Sequence, residues 1–382
     1  MTDVAAAAQF QASDAVRDAV AGLGRTEDVR FSPSGRRLAI ACYGTERIAL
    51  VDVELELRSE RLQVALTGIE LHQPAALHEP HGIDFVDEDT LAVANRGGGV
   101  LVLRLPSAAA EELSTVGPDN GGGLLDSPGS IAVRPVESGD HEVLTCNNWT
   151  STIVRHTLVA GESLARGEII ARRRLDLPDG LALSGDAQWL AVSNHNTHSV
   201  LVYAYESAGE QSEPVGVLRG VMYPHGLRFA DDDRLLFVAD AGAPLVHVFE
   251  ANGGWRGARF PIAAIRVMDE DTFARGHRTP EEGGPKGLDI DDRTGALVVT
   301  SEHQPLAFFD TSTATGGERS GELDDTLVRY ELELLAQAER FKANAEQDVA
   351  NARAQLAEVL ATKAWRSTAP VRRLNAVLRK RS

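Results

Sequence analysis

EPHGIDFVDEDTLAVANRGGGVLVLRL, residues 79–105, is the stretch whose reading decides the fold. It opens on Pro-x-Gly and enters a short apolar strand. An acidic turn leads to a second apolar strand ending at Asn95, and a glycine turn leads to a third strand. The same order returns as LPDGLALSGDAQWLAVSNHNTHSVLVYAY from Leu177, YPHGLRFADDDRLLFVADAGAPLVHVFE from Tyr223 and GPKGLDIDDRTGALVVTSEHQPLAFFD from Gly284. Looser copies are TEDVRFSPSGRRLAIACYGTERIALVDV from Thr26 and SPGSIAVRPVESGDHEVLTCNNWTSTIVRHTL from Ser127. The prolines at 80, 128, 178, 224 and 285 are spaced by 48, 50, 46 and 61 residues. Units of that size, each with three or four short strands, mark propeller blades. One such meander cannot bury both of its faces alone, so the copies must stack around an axis. The runs Leu91–Ala94, Leu190–Ser193 and Leu235–Ala239 are nearly all apolar, as strands packed on both faces require. The expectation is an all-β, six-bladed β-propeller over residues 25–320, preceded by an N-terminal segment, 1–24.

Near Glu322 the pattern changes. Proline and glycine stop, and Leu323, Leu327, Tyr330, Leu334, Phe341, Val349, Leu356 and Leu360 recur at helical spacing up to Ala364. With Ala, Glu, Gln and Arg between them, they predict a long amphipathic helix over 321–364. Two readings stand for it: a coiled coil giving self-association, or a helix folded back on its own propeller. Pro370 then interrupts a basic tail, 365–382. From Thr362 to Ser382 there are seven basic residues and no acid, so a net charge of −18 leaves −25 on the rest of the chain. An acidic body argues against nucleic acid as a partner. The tail sets an aromatic side chain, Trp365, beside Arg366 and a basic cluster, which suits an anionic membrane surface. A solvated tail, or one docked on the acidic body, is the alternative.

Hydrophobic residues at 43% and charged residues at 25% describe an ordinary globular chain, and 35 glycines with 5% aromatics describe one rich in turns. Cys42 and Cys146 each lie inside an apolar run and make no disulfide framework. Residues 1–20 carry no basic leader, and no run is long enough to span a bilayer. A cytoplasmic location, peripheral at the inner membrane if the tail binds there, is the expectation. No phosphate-binding glycine loop, Cys/His zinc pattern or Gly-x-Ser-x-Gly elbow is present.

PHGIDFVDEDTLAVAN (80–95) and PDGLALSGDAQWLAVSN (178–194) resemble the six-bladed lactonase-like superfamily of senescence-marker/gluconolactonase and paraoxonase (arylesterase) proteins. The resemblance covers most of residues 25–310. It implies that the residue inside Pro-x-Gly lines a central channel, which places Glu27, His81, Gly129, Asp179, His225 and Lys286 on one ring. It also implies a divalent cation there, calcium in the family, with Glu27, Asp179 and Asp240 as metal ligands. The chain departs from the family in having Gly129 where an amide is supplied and His225 where an acid is supplied. Histidine suits proton transfer near neutral pH and metal ligation, so His81 and His225, with Lys286, are the candidate catalytic residues. Polar lining of a water-filled channel with no further role is the plainer reading.

A second ring at the ends of the second strands holds Asn95, Asn147 and Asn194, with Glu302 beside it in blade six. These are candidate ligand-binding residues, and equally candidate turn caps, because Asn bonds readily to local backbone. His195, Asn196 and His198 suggest another metal cluster or a plain connecting loop. Finally, ATKAWRSTAPVRRL (361–374) is similar to a segment near the C-termini of bacterial surface-polysaccharide glycosyltransferases. Together these imply a lactonase-like propeller that binds, and hydrolyses with a divalent cation, a small polar or sugar-derived ligand near surface-polysaccharide synthesis. The alternative is a non-catalytic propeller that scaffolds such an assembly.

Overall fold

In the computed structural model, residues 7–59, 61–105, 113–159, 163–251 and 253–311 are described, together with 347, 349 and 351–354. These residues form six antiparallel meanders arranged as the blades of a propeller. The inner strands, in blade order, are Asp28–Phe31, Pro80–Asp87, Pro128–Pro135, Pro178–Leu183, Pro224–Ala230 and Leu288–Asp291. The helix and tail expected over 321–382 lie outside the described residues, apart from 347, 349 and 351–354, which are helical.

Period-two alternation explains why the blades stack. In the second strand of blade two, Thr90–Asn95, Leu91 and Val93 pack toward blade one while Ala92 and Ala94 pack toward blade three. Blade one presents Ala39 and Ala41 to the large residues of blade two, and Leu38 and Ile40 to blade six. Large side chains thus meet small ones across these interfaces, which fills each without voids. Six apolar clusters result, one between each pair of neighbouring blades.

Closure of the ring uses residues that precede the repeats. Ala7–Ala8 adds the outermost strand of blade six, pairing with Phe309 and Phe308. Phe10–Ala12 then lies parallel to Arg61–His72 of blade one, with Phe10 opposite Val64. The helix Asp14–Ala21, capped by Ser13, buries Val16 and Val20 in the same cluster. Residues 7–21 are therefore woven into the propeller rather than standing before it.

Register explains the Pro-x-Gly motif. Pro80, Pro128, Pro178 and Pro224 pair with Asn95, Asn147, Asn194 and Asp240, and each pairing is followed at once by a shift of register. A bulge of this kind re-aims the residue it carries. Here it turns His81, Gly129, Asp179 and His225 onto the axis. The glycine that follows lies where the next blade passes: a Cβ on Gly82 would sit 2.5 Å from Ser130 Cα, and one on Gly180 would sit 2.1 Å from His225 O.

Candidate metal centre at the channel mouth

The bulges of blades two, four and five bring His81, Asp179 and His225 to one end of the axis, where Glu27 and Lys286, just before the inner strands of blades one and six, join them, all buried. His225 Nε2 lies 3.3 Å from Glu27 Oε2 and 3.1 Å from Asp179 Oδ2. His81 Nε2 lies 3.5 Å from the same Glu27 oxygen and 3.9 Å from Asp179 Oδ1. The two imidazoles stack with ring centres 5.3 Å apart. Glu27, His81 and His225 each offer a ligand atom within 4.8 Å of the others.

Protonation sharpens this geometry. Burial pushes the His81 imidazole down to about 3, with Arg96 adding to the effect, so the ring is neutral near pH 7. His81 Nδ1 is 2.5 Å from the Gly129 carbonyl and must carry the proton. Nε2 then presents a lone pair toward Glu27. Burial favours a neutral Glu27, yet nearby Lys286, with a hydrogen bond from His225 and the Arg25 guanidinium, holds its carboxyl well below the usual carboxylate range. Among the described residues, Glu27 Oε2 has no well-formed hydrogen bond, His225 Nε2 approaching it at 3.3 Å. A buried anionic oxygen therefore faces an imidazole lone pair at 3.5 Å with no proton between them. That arrangement is costly unless a cation shares the two atoms.

The donor types bear on which cation would fit. Zinc bonds of about 2.0–2.1 Å place two tetrahedral ligands roughly 3.3 Å apart, close to the spacing here. Two nitrogens and a carboxylate suit a transition ion. Calcium, which takes six to eight oxygens, does not fit them.

Asp179 stands beside this group as a held carboxylate. Its Oδ1 accepts from Asn148 Nδ2 at 2.7 Å and from Arg96 at 3.2 Å, which leaves Oδ2 toward His225. Burial opposes its ionisation, but His225, His81 and Arg96 hold it far below its ordinary value. Lys286 Nζ is 3.0 Å from Glu282. Arg25 bonds Glu27 and reaches Glu282 at 3.5 Å. Below the group a cavity of about 10 Å³ separates it from a plug in which Arg30 bonds Asp28. Above it a funnel of about 150 Å³ opens, walled by residues that include Arg96, Asn148, Trp149, His195 and Lys286.

The second ring occupies a different place. Asn95 accepts from His78 N and donates to Ala76 O. Asn147 accepts from Asp126 N and donates to Leu124 O, and Asn194 bonds Asp176 N and Arg174 O in the same way. Asp240 is the fifth-blade member, accepting from Met222 N, Tyr223 N and Gly242 N, with His247 at 3.1 Å. These four side chains peg the incoming loop to its blade, and the structure does not bring them into the ion-binding group. Glu302 contacts His303 at 3.8 Å, away from the funnel wall. His198 bonds Met222 O and packs edge-on against Tyr223, the ring that His195 also meets.

Residues that sequence reasoning missed, Arg96 and Asn148, lie one position beyond the pegs Asn95 and Asn147. His195, singled out in the sequence only as part of a candidate metal cluster, follows Asn194 in the same way, and all three wall the funnel. Tyr43 follows Cys42 and meets His81 edge-on. Asn148 also resolves the departure at Gly129: a Cβ there would lie 2.2 Å from Asn148 Oδ1. The amide missing from the ring in blade three is supplied by the neighbouring loop, in the space that glycine leaves. The tandem Asn147–Asn148 was the available signal. Compared with known proteins, the chain matches no protein-family model and no curated relative.

Proposed function

We propose that the protein is a metal-dependent propeller whose channel mouth holds a divalent transition ion on Glu27, His81 and His225. Asp179 stands ready beside them, and a small polar or sugar-derived ligand enters through the funnel. The observation carrying this reading is the buried Glu27 oxygen, without a well-formed hydrogen bond, facing two imidazole nitrogens. The resemblance of the repeat motifs to lactonase-like propellers supports lactone or ester hydrolysis as the chemistry. A divalent ion in such a place polarises a carbonyl or acidifies a water. The chain's own residues would do the rest. His81 and His225 act as ligands more than as proton carriers. Lys286 and Arg96 orient a developing negative oxygen. His195, which burial pushes down to about 4, is a neutral imidazole on the funnel wall able to accept a proton.

Elemental analysis of the purified full-length chain, stripped with chelator and reloaded with zinc, tests the metal. One ion per chain is expected, and none in Glu27→Gln or His225→Ala. A chain that binds zinc but turns over no lactone or ester in a panel would be a binding or scaffolding module instead. The tail resemblance extends the proposal to a cytoplasmic protein placed at the inner membrane, near surface-polysaccharide synthesis. Co-sedimentation with anionic vesicles, compared with a chain ending before residue 362, tests that placement.

A further inference from the structure

The funnel is lined by three cationic side chains, Arg25, Arg96 and Lys286, and by three carboxylates, Asp179, Glu281 and Glu282, with a fourth, Glu27, on the small cavity beneath it. Counted with Glu27, these formal charges sum to −1 without a metal, which disfavours anions. A divalent ion on the buried group reverses that sign to +1, and a bound ion is the dominant local charge in such a site. It also engages Glu27, which otherwise occupies Arg25. Arg96 has a donor to spare: its Nε is buried without a hydrogen-bond partner among the described residues. Trp149, 71% exposed at the rim, offers a flat apolar face to whatever substituent the ligand carries.

We infer that the funnel takes a small oxyanion, a carboxylate or a phosphate monoester, and takes it only after the metal has bound. This rests on the metal reading above. The metal and Arg96 would share the anion, and Lys286 of blade six would face it as well.

Calorimetric titration of the full chain, chelator-stripped and zinc-loaded, with malonate, methyl phosphate and neutral malonamide tests the inference. Zinc-loaded protein should bind at least one of the two anions about tenfold or more tighter than stripped protein does, and should not bind malonamide. Whichever anion binds names the source. Arg96→Gln should keep its zinc and lose about tenfold in anion affinity. If that variant fails to fold, the comparison of anion with amide and of loaded with stripped protein still decides. The inference is overturned if zinc binds but malonamide binds as well as the anions, if neither anion binds, or if the stripped protein binds them equally. Failure of zinc itself to bind would instead remove the metal reading, and this inference with it.

Discussion

Two acids that look alike in the sequence do different work. Glu27 has an oxygen to give, whereas Asp240 has both of its oxygens committed to backbone N–H groups. Asp240→Ala should leave zinc content unchanged but cost about 1–3 kcal/mol or more, because it orphans buried donors. Zinc analysis and a denaturant melt on one preparation check this, and loss of zinc would return Asp240 to the ion. The plug below the site has its own pH signature. Burial pushes Asp84 up to about 7 and Asp289 up to about 6, more than Arg30 pulls them down. A carboxyl raised on folding adds stability that is full below its unfolded value of 3.8 and is lost as pH rises through the folded value. His81 and His195 run the other way, losing their contribution as pH falls from 6.5 toward 3 and 4. Asp84→Asn separates the two trends: its Tm relative to wild type should be higher at pH 8 than at pH 5. Equal differences at both pH values would remove Asp84 from the titration.

Between strand and blade, the Pro-x-Gly unit couples local conformation to the site. The bulge aims x at the axis, and the glycine lets the next inner strand pass. Gly82→Ala should therefore cost about 1–3 kcal/mol through overpacking, since its Cβ would meet Ser130 backbone at 2.5 Å. Gly209 has nothing within 4 Å of its would-be Cβ, so Gly209→Ala serves as the near-neutral comparison. Thermal melts of both variants decide whether the motif is a packing requirement or only a turn preference.

For the whole molecule, closure depends on a few residues at the N-terminus. Removing residues 1–12 deletes the outer strand of blade six and the strand that runs along blade one. The truncated chain should melt at a markedly lower temperature and with less cooperativity. A melt like that of wild type would mean that the clusters between blades suffice. The described propeller residues between 7 and 311 fall in one compact unit, so a chain ending near residue 320 should remain folded and melt cooperatively. If the amphipathic helix expected over 321–364 self-associates, sedimentation should show the full chain as an oligomer and the shortened one as a monomer. Two monomers would reject that role.

Strand number, blade count and the identity of the ring residues were legible in the chain because they are local and periodic. Alternation places a side chain on a face, and a repeated Pro-x-Gly marks a repeated place on the axis. Glu27, His81, Asp179, His225 and Lys286 could be set on one ring by aligning the copies. The asparagines at the strand ends were legible as a ring but not as pegs, because their partners lie in loops about 20 residues earlier. Neighbours on a strand point to opposite sides, so one step separates Asn147, tied to its loop, from Asn148, which fills the space above Gly129. Only the folded ring could reveal that substitution, or the use of residues 7–12 to close it. Only the folded ring could set the charges: neighbouring groups keep Glu27 and Asp179 ionised against burial, while burial keeps His81 neutral. A donor set suited to a transition ion rather than to calcium is the consequence. Sequence determined which side chains face the axis, and tertiary structure decided which of them lie close enough to share an ion, because that requires distances that no spacing along the chain sets.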